Sequence, residues 1–224
     1  MSDRVSAITP RTTIDRQALA RFMIRYNFAL KEIGTRIDIL KEEFESIHEY
    51  SPIEHVNRRI KTPESILRKV RRRGYRPTLE VIRERIKDIA GVRISCSFVS
   101  DIYRVASMLI QQPDIDVVDY EDYIETPKGS GYRSLHLVLL VPVYLSDRVE
   151  RVPVEVQLRT IAMDFWASLE HKIYYKYNRD VPEHLLEGLL DAATDIERLD
   201  RKMEDIHKEM REFRIVAHED IDLE

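Results

Sequence analysis

The chain has 224 residues, of which 43% are hydrophobic and 34% charged, which is typical of a globular protein and excludes a disordered one. Its formal net charge of −4 argues against a general nucleic-acid binder. The single cysteine, Cys96, excludes an internal disulfide framework and favours a reducing compartment. Because the N-terminus lacks a signal-peptide pattern and no apolar run is long enough to span a bilayer, we predict a cytoplasmic protein with no membrane partner.

Two long amphipathic helices are predicted, one near each end of the chain. Apolar side chains recur in steps of four and three residues from Leu19 to Ile47, and again from Leu185 to Phe213. Such a repeat suits a helix that packs along another helix. Two interpretations remain open: the helices pack on the central domain or on each other, or they form an oligomer seam. The predicted segments are a loose tail at 1–12, a helical arm at 13–49, a C-terminal helix at 179–214 and an acidic tail at 215–224.

The central segment, residues 50–178, is predicted to mix helices and strands. Helices are predicted at 63–72, where Pro63 occupies the first turn, and at 101–111. Pro142 is expected to end its strand or to place it at a sheet edge. This mixture predicts an α/β or α+β domain. Strands are predicted at 91–98, near 115–119, at 133–143 and at 152–159, the last followed by a helix with Trp166 and His171.

The strand VPVEVQLRT, residues 152–160, carries an unusual polar face. Glu155, Gln157 and Arg159 alternate with apolar residues that face the core. Side chains two residues apart on a strand point the same way, about 6–7 Å from one another. The polar row therefore faces either water or a cleft.

A second acid, Asp88, comes just before the strand at 91–98, from which Arg93 projects on the polar side. Carboxylates from two separate elements can share one hard cation, and Mg²⁺ is commonly held by one or two carboxylates together with substrate phosphates. Asp88 and Glu155 are therefore candidate ligands of Mg²⁺. The alternative for Asp88 is a role as a helix or turn cap.

The stretch from Arg58 to Arg76 holds nine Lys or Arg residues and a single acid. On the predicted helix, Ser65, Lys69 and Arg72 fall about one turn apart on one face. A dense cationic face suits a polyphosphate, and Arg also stacks on bases. A solvated helix and an RNA contact are the alternatives.

The loop PKGSGYRSLH, residues 127–136, places two glycines before the start of a predicted strand. An exposed Tyr132 beside Lys128 is suited to stack on a base while the lysine meets its phosphate. The sequence contains neither GxxxxGK[ST] nor GxGxxG, so a glycine-rich backbone loop of either kind does not cradle phosphates.

Four segments in this order resemble the (p)ppGpp synthetase domain of the RelA/SpoT family, and the short chain with a helix at each end resembles the stand-alone small alarmone synthetases. The segments are RIK at 59–61, KDIAGVRI at 87–94, PKGSGYRSLH at 127–136 and EVQLRT at 155–160. The resemblance implies a nucleotidyltransferase-like mixed β-sheet flanked by helices. It implies transfer of the β,γ-pyrophosphate of ATP to the 3′-hydroxyl of GDP or GTP, with release of AMP. It also implies a homo-oligomer, for which we favour a tetramer over a dimer.

The resemblance assigns roles to residues of this chain. Asp88 is expected to hold Mg²⁺, and Glu155 to act beside it as a metal ligand or as the general base. Arg59 and Arg93 are expected to sandwich adenine, and Tyr132 to stack on guanine. The expected ATP-binding residues are Arg59, Lys61, Ser65, Lys69, Arg71 and Arg93. The expected GDP- or GTP-binding residues are Lys128, Tyr132, His136 and Gln157.

Two residues depart from the family pattern. Glu121 stands where many members carry a basic residue, and Asp164 stands where the pattern has Asn.

Two alternative functions remain open. One is a toxic relative that modifies the 3′ end of tRNA or an adenosine nucleotide; the other is a non-catalytic RNA-binding regulator, which would leave Asp88 and Glu155 without a role.

Overall fold

The structure, a computed structural model, describes residues 15–48, 50–176 and 181–221, with side chains as far as residue 210 except at positions 16 and 175. The tail at 1–12, the boundary at 178–179 and residues 222–224 lie outside the described residues. The elements are α1 (Arg16–Ile47), β1 (Ile53–Ile60), α2 (Pro63–Arg72), α3 (Leu79–Arg85), β2 (Ala90–Cys96), α4 (Val99–Ile110), β3 (Asp116–Asp122), β4 (Leu135–Tyr144), β5 (Val149–Thr160), α5 (Ile161–Lys176) and α6 (Glu183–Ile221).

The strands form one five-stranded sheet in the order β1-β2-β5-β4-β3. β2 and β5 pair in parallel and the other neighbours are antiparallel, so the sheet is mixed, as the fold prediction requires. Val92, Val156 and Leu137 are buried on one face, where α1 and α4 cover the sheet. The alternation of β5 places Glu155 and Gln157 on the opposite face. The predicted fold class is confirmed.

The N-terminal helix α1 is held to the sheet by its apolar stripe. Asp15 caps its first turn by accepting from the Ala18 backbone N–H at 2.9 Å. Tyr26, Ile33 and Ile37 are fully buried within the same core as the strands. Packing on the central domain therefore accounts for most of this stripe.

The sequence patterns did not indicate every element, and they indicated the position of Pro142 only in part. β1 and the short helix α3 were not predicted, whereas α2 begins and ends as predicted, with Thr62 capping it and Pro63 in its first turn. β4 runs through Pro142 to Tyr144, so Pro142 does not end it. Pro142 lies beyond the last residue of β4 paired with β3, so the predicted edge position is confirmed there.

The C-terminal helix α6 packs against α5 and against the loop that precedes β4. The Trp166 indole N–H donates to the Leu189 carbonyl at 2.8 Å, and Arg133 pairs with Glu197 at 2.6 Å. Gly131, at φ +89°, approaches so closely that an added Cβ would lie 2.6 Å from the Ala193 Cβ. Further along α6, four apolar side chains are exposed, namely those of Leu199, Met203, Ile206 and Met210. No helix in the described ranges has the length and apolar character needed to cross a membrane.

Candidate active site

Side chains from four strands form two rows across the open face of the sheet. Arg59, Gly91 and Glu155 are register partners in the first row. Asn57, Arg93, Gln157 and His136 are register partners in the second. The Glu155 side chain is only 18% exposed, so the polar row of β5 faces a cleft rather than open water.

Cavity A, of about 250 Å³, lies over β1, β2 and β5. Arg59 and Arg93 both line it, and the Arg59 Nη2 lies 3.6 Å from the Glu155 Oε2. Gly91 is the register partner of Arg59, and an added Cβ would be 3.3 Å from the Arg59 Nε. The Arg93 Nε is buried without a hydrogen-bond partner within the described chain. A planar base between two guanidinium groups fits this space.

Cavity B, of about 210 Å³, brings the two predicted acids together. Asp88, which precedes β2, and Glu155, on β5, both line it, as the sequence predicts. Its lining residues carry four cations and four acids, so a bound polyphosphate would meet both signs of charge. The lining residues are Lys69, Arg73, Arg85, Lys87, Asp88, Asp119, Glu121, His136, Val138 and Glu155.

Asp88 is the most constrained acid of cavity B. Its Oδ2 accepts from Lys69 at 2.6 Å and also from Lys61, which follows β1. Burial alone would raise the pKa of Asp88, but the hydrogen bonds from both lysines outweigh it and lower that pKa. Burial lowers the pKa of Lys61 despite its acidic partner. Asp88 is therefore charged, while its Oδ1 is buried with no hydrogen-bond partner among the described residues.

A buried cation is compatible with this arrangement. Asp88 offers an unpartnered carboxylate oxygen, and both contacts of Glu155 with its neighbours use its Oε2. No group of three or more His, Cys, Asp or Glu side chains is gathered as a metal site within the described ranges. The residues thus fit an ion that takes one or two protein carboxylates and completes its shell with other oxygens, as Mg²⁺ does.

Arg159, which the sequence analysis did not assign to a ligand, organises the other end of the polar row. Its side chain is 4% exposed and donates to Gln157 at 3.1 Å, to Asp164 at 3.0 Å and to the Tyr132 hydroxyl. The Tyr132 hydroxyl also lies 2.7 Å from the His136 Nε2. These five residues form one network, which we call the Arg159 network.

Lys128 completes the arrangement around Tyr132. Its Nζ lies 4.0 Å from the centre of the Tyr123 ring and 5.1 Å from that of Tyr132. The structure thus brings together all four predicted acceptor-side residues, Lys128, Tyr132, His136 and Gln157, with Tyr123 added. The alternation of polar and apolar residues on β5 indicated the position of Arg159, but its partners Tyr132 and Asp164 lie outside β5.

Three of the six predicted ATP-binding residues line neither cavity A nor cavity B. Lys61 is one of them, although it donates a hydrogen bond to Asp88. Ser65 lies in the first turn of α2, where its backbone N–H donates to the Thr62 side chain at 3.3 Å. Arg71 is exposed on α2, and neither residue lines cavity A or B. Instead, Arg73 and Arg85 line cavity B.

His136 is expected to make folding stability fall on acidification. Burial, then the charges of Arg159 and Lys128, lower the pKa of His136 from 6.5 to about 3. Between these values the unfolded chain binds a proton that the folded chain does not. The free energy of unfolding should therefore decrease as the pH decreases across this window, by up to ~1.4 kcal/mol per pH unit.

Urea unfolding of wild type and His136→Gln at about pH 7 and about pH 5 tests this dependence. We expect the stability of wild type relative to the variant to decrease at the lower pH. A difference that stays constant between the two conditions would contradict the lowered pKa.

The comparisons with known proteins agree with this geometry. The model of the region found in RelA/SpoT proteins matches residues 58–180, which is more than half of the chain. The chain belongs to the RelA/SpoT family. The matched region includes the Arg159 network and every residue that lines the two cavities except Asn57 of cavity A.

The relatives include stand-alone proteins of similar length, which confirms the resemblance to small alarmone synthetases. The chain is 52% identical over 188 residues to the GTP pyrophosphokinase YwaC of Bacillus subtilis, covering 84% of this chain and 90% of YwaC. The crystal structure of the small alarmone synthetase 2 from B. subtilis matches with a TM-score of 0.78 at 50% identity, covering 85% of this chain and 98% of that one. The small alarmone synthetase 1 from B. subtilis, bound to its product pppGpp, matches with a TM-score of 0.80 at 42% identity, covering 87% and 98%.

Proposed function

We propose that this RelA/SpoT protein is a GTP pyrophosphokinase of the stringent response. It transfers the β,γ-pyrophosphate of ATP to the 3′-hydroxyl of GDP or GTP and yields ppGpp or pppGpp together with AMP. The observation that carries the proposal is the meeting of Asp88 and Glu155 in one cavity among cations, beside a second cavity with two arginines. Relatives named as GTP pyrophosphokinases over most of their length support the same reaction.

ATP is the proposed donor in cavities A and B. Arg59 and Arg93 hold the adenine between them, since guanidinium planes stack on aromatic rings. Lys61 and Lys69 already lie beside Asp88 and bind the donor phosphates there. Ser65 and Arg71 remain proposed phosphate ligands, which they can become only by reaching in from α2.

Mg²⁺ is the proposed cofactor, held by the Asp88 Oδ1 and by Glu155. When bound, it would supply positive charge beside the donor phosphates and so stabilise the negative charge that develops during transfer. Asp88 keeps its negative charge because Lys61 and Lys69 lower its pKa, so it is available as a ligand at neutral pH.

The acceptor is proposed to bind over the Arg159 network. Tyr132 stacks on guanine, while Lys128, His136 and Gln157 line the acceptor side. Glu155 accepts the proton of the 3′-hydroxyl, whose oxygen then attacks the β-phosphorus of ATP. The bond between the β-phosphorus and the bridging oxygen breaks, and AMP leaves with that oxygen. Gln157 donates to the Glu155 Oε2 at 2.9 Å and orients it for this step.

An acceptor panel tests the proposed specificity. Purified protein is mixed with Mg²⁺ and ATP labelled at the γ-phosphate, and with GDP, GTP, ATP or tRNA as the acceptor. We expect label in a new guanine nucleotide and none in tRNA or an adenosine product. Label on tRNA or on an adenosine nucleotide alone would favour the toxic-relative alternative.

Glu121 is expected to weaken acceptor binding. It faces His136, a proposed acceptor-binding residue, in register and lines cavity B with Glu155, so it adds negative charge beside the proposed acceptor site. Glu121→Lys should lower KM for GTP by about three- to tenfold with little change in kcat, because attraction replaces repulsion. Initial rates over a GTP series measure this. An unchanged or higher KM would place the phosphates elsewhere.

Self-association is proposed through the exposed apolar side chains of α6. Leu199, Met203, Ile206 and Met210 recur at heptad spacing and are each more than 40% exposed. We favour a homotetramer over a dimer. Light scattering on wild type and Met203→Glu distinguishes a tetramer or a dimer from a monomer.

The protein is proposed to act in the cytoplasm, which the buried free thiol of Cys96 suits.

RNA contact through residues 58–76 is a secondary proposal. Arg68, Arg71 and Arg72 are exposed on α2 and do not line cavity A or B, so they remain available to phosphates of a larger partner. RNA binding that weakens with salt in wild type, and less so in Arg71→Gln, would support it.

A further inference from the structure

A third cavity, which we call cavity C, lies where α1, α3 and the start of β5 meet. Its volume is about 350 Å³. It shares no lining residue with cavity A or cavity B. Its lining residues are Arg25, Tyr26, Arg83, Glu150, Arg151, Val152 and Pro153.

Buried polar atoms without partners mark cavity C as they mark the candidate active site. Four such side-chain atoms occur in the described part of the chain. Asp88 Oδ1 and Arg93 Nε belong to residues of cavities B and A. The other two, Arg25 Nε and Tyr26 Oη, belong to residues of cavity C. Because an unpaired buried donor is unfavourable, a ligand that accepts hydrogen bonds would be stabilised there.

The charges around cavity C favour an anion. Three arginines and one acid line it, and the acid, Glu150, is already paired with Arg25 at 3.1 Å and Arg148 at 2.8 Å. Arg151 pairs with Asp116. Arg83 makes no ion pair with any described residue, so its charge is available to a ligand.

The Tyr26 hydroxyl supplies a neutral donor to the same space. Tyr26 is fully buried, and burial raises its pKa to about 12, although Arg25 and Arg83 act in the opposite direction. The hydroxyl therefore keeps its proton at neutral pH and can donate it in a hydrogen bond. A ligand oxygen with negative charge would satisfy this donor and the Arg25 Nε together.

We propose that cavity C binds a small phosphate-bearing anion, with Arg25 and Arg83 as its charged ligands and the Tyr26 hydroxyl as its neutral donor. The site touches the segments that carry both acids of cavity B. Pro153 precedes Glu155 by two residues on β5, and α3, which carries Arg83, ends three residues before Asp88. A bound anion joins α1 to these two segments. The proposal does not depend on the proposed reaction, since its test measures binding.

Site-specific NMR tests this proposal on the full chain. Tyrosine labelled with ¹³C at Cζ is incorporated, and the Tyr26 resonance is assigned with Tyr26→Phe. Inorganic phosphate is then titrated at constant ionic strength, with chloride as the balancing anion. We expect the Tyr26 signal to shift saturably in wild type. Arg83→Gln should require at least about tenfold more phosphate, because it removes a charge-assisted contact.

Arg85→Gln is the matched control, since Arg85 lies on the same helix but lines cavity B; its Tyr26 shift should match wild type. A parallel titration with AMP distinguishes free phosphate from the phosphate of a nucleotide as the ligand. The probe that shifts the Tyr26 signal at the lower concentration identifies the source. A Tyr26 signal that moves with neither probe, or that responds equally in wild type and Arg83→Gln, would overturn the proposal.

Discussion

Replacing Glu155 by Gln is expected to lower kcat for pyrophosphate transfer by about a thousandfold, because a positioned general base contributes about 10²- to 10⁴-fold. Gln has nearly the same size and keeps the contact with Gln157, but it cannot take the proton from the 3′-hydroxyl. It also removes the charge that lies 3.6 Å from Arg59. Initial rates of AMP release with ATP and GTP measure the effect.

Glu125→Gln is the matched control for this variant. It makes the same chemical change at an exposed position that lines neither cavity A nor cavity B. Its rate should equal that of wild type. If Glu155→Gln retained more than about a tenth of the wild-type kcat, Glu155 would not be the base, whatever its place in the cavity.

Replacing Arg159 by Met is expected to lower the free energy of unfolding by about 3 kcal/mol, since removing the buried partner of an ion pair strongly weakens the compensation of the remaining charge. Asp164 would keep only Arg93, at 3.3 Å, and the Tyr132 hydroxyl would lose a donor. The same change should raise KM for GTP more than KM for ATP, because the network lies under the proposed acceptor. Urea unfolding at fixed protein concentration measures the first effect, and initial rates measure the second.

Arg201→Met is the control for the loss of stability. Arg201 also pairs with a carboxylate, Glu197 at 2.9 Å, but its side chain is 73% exposed. Exposed pairs contribute less than about 1 kcal/mol. Equal losses in Arg159→Met and Arg201→Met would show that the Arg159 network adds nothing beyond an ordinary surface pair.

Local patterns predicted the parts of the fold that rest on local causes. The alternation of Glu155, Gln157 and Arg159 with apolar residues is enough to orient β5, and Pro63 after Thr62 is enough to begin α2. β1 was missed because only one of its eight residues is buried, which leaves little apolar alternation. The seven residues of α3 are too few to show a helical period.

The sequence predicted most residues of the candidate site, but it did not predict the contacts between them. The sequence indicated that Asp88 and Glu155 work together. The pairing of Asp88 with two lysines was not indicated, because Lys61 and Lys69 lie 27 and 19 residues before it in the chain. Arg85 was missed together with α3. Cavity C was missed because its walls come from three elements that are distant in sequence and carry no shared motif.

The central claim is that ATP gives up its pyrophosphate to a guanine nucleotide in this site, and the stoichiometry of the products tests it most directly. Purified protein is incubated with ATP, Mg²⁺ and GDP or GTP, and the nucleotides are separated by anion exchange, with Glu155→Gln as the control. We expect one AMP for each new, more anionic guanine nucleotide, and about a thousandfold less of both products from the variant over the same time. ADP in place of AMP, or no new guanine nucleotide from folded wild-type protein with either acceptor, would contradict the account.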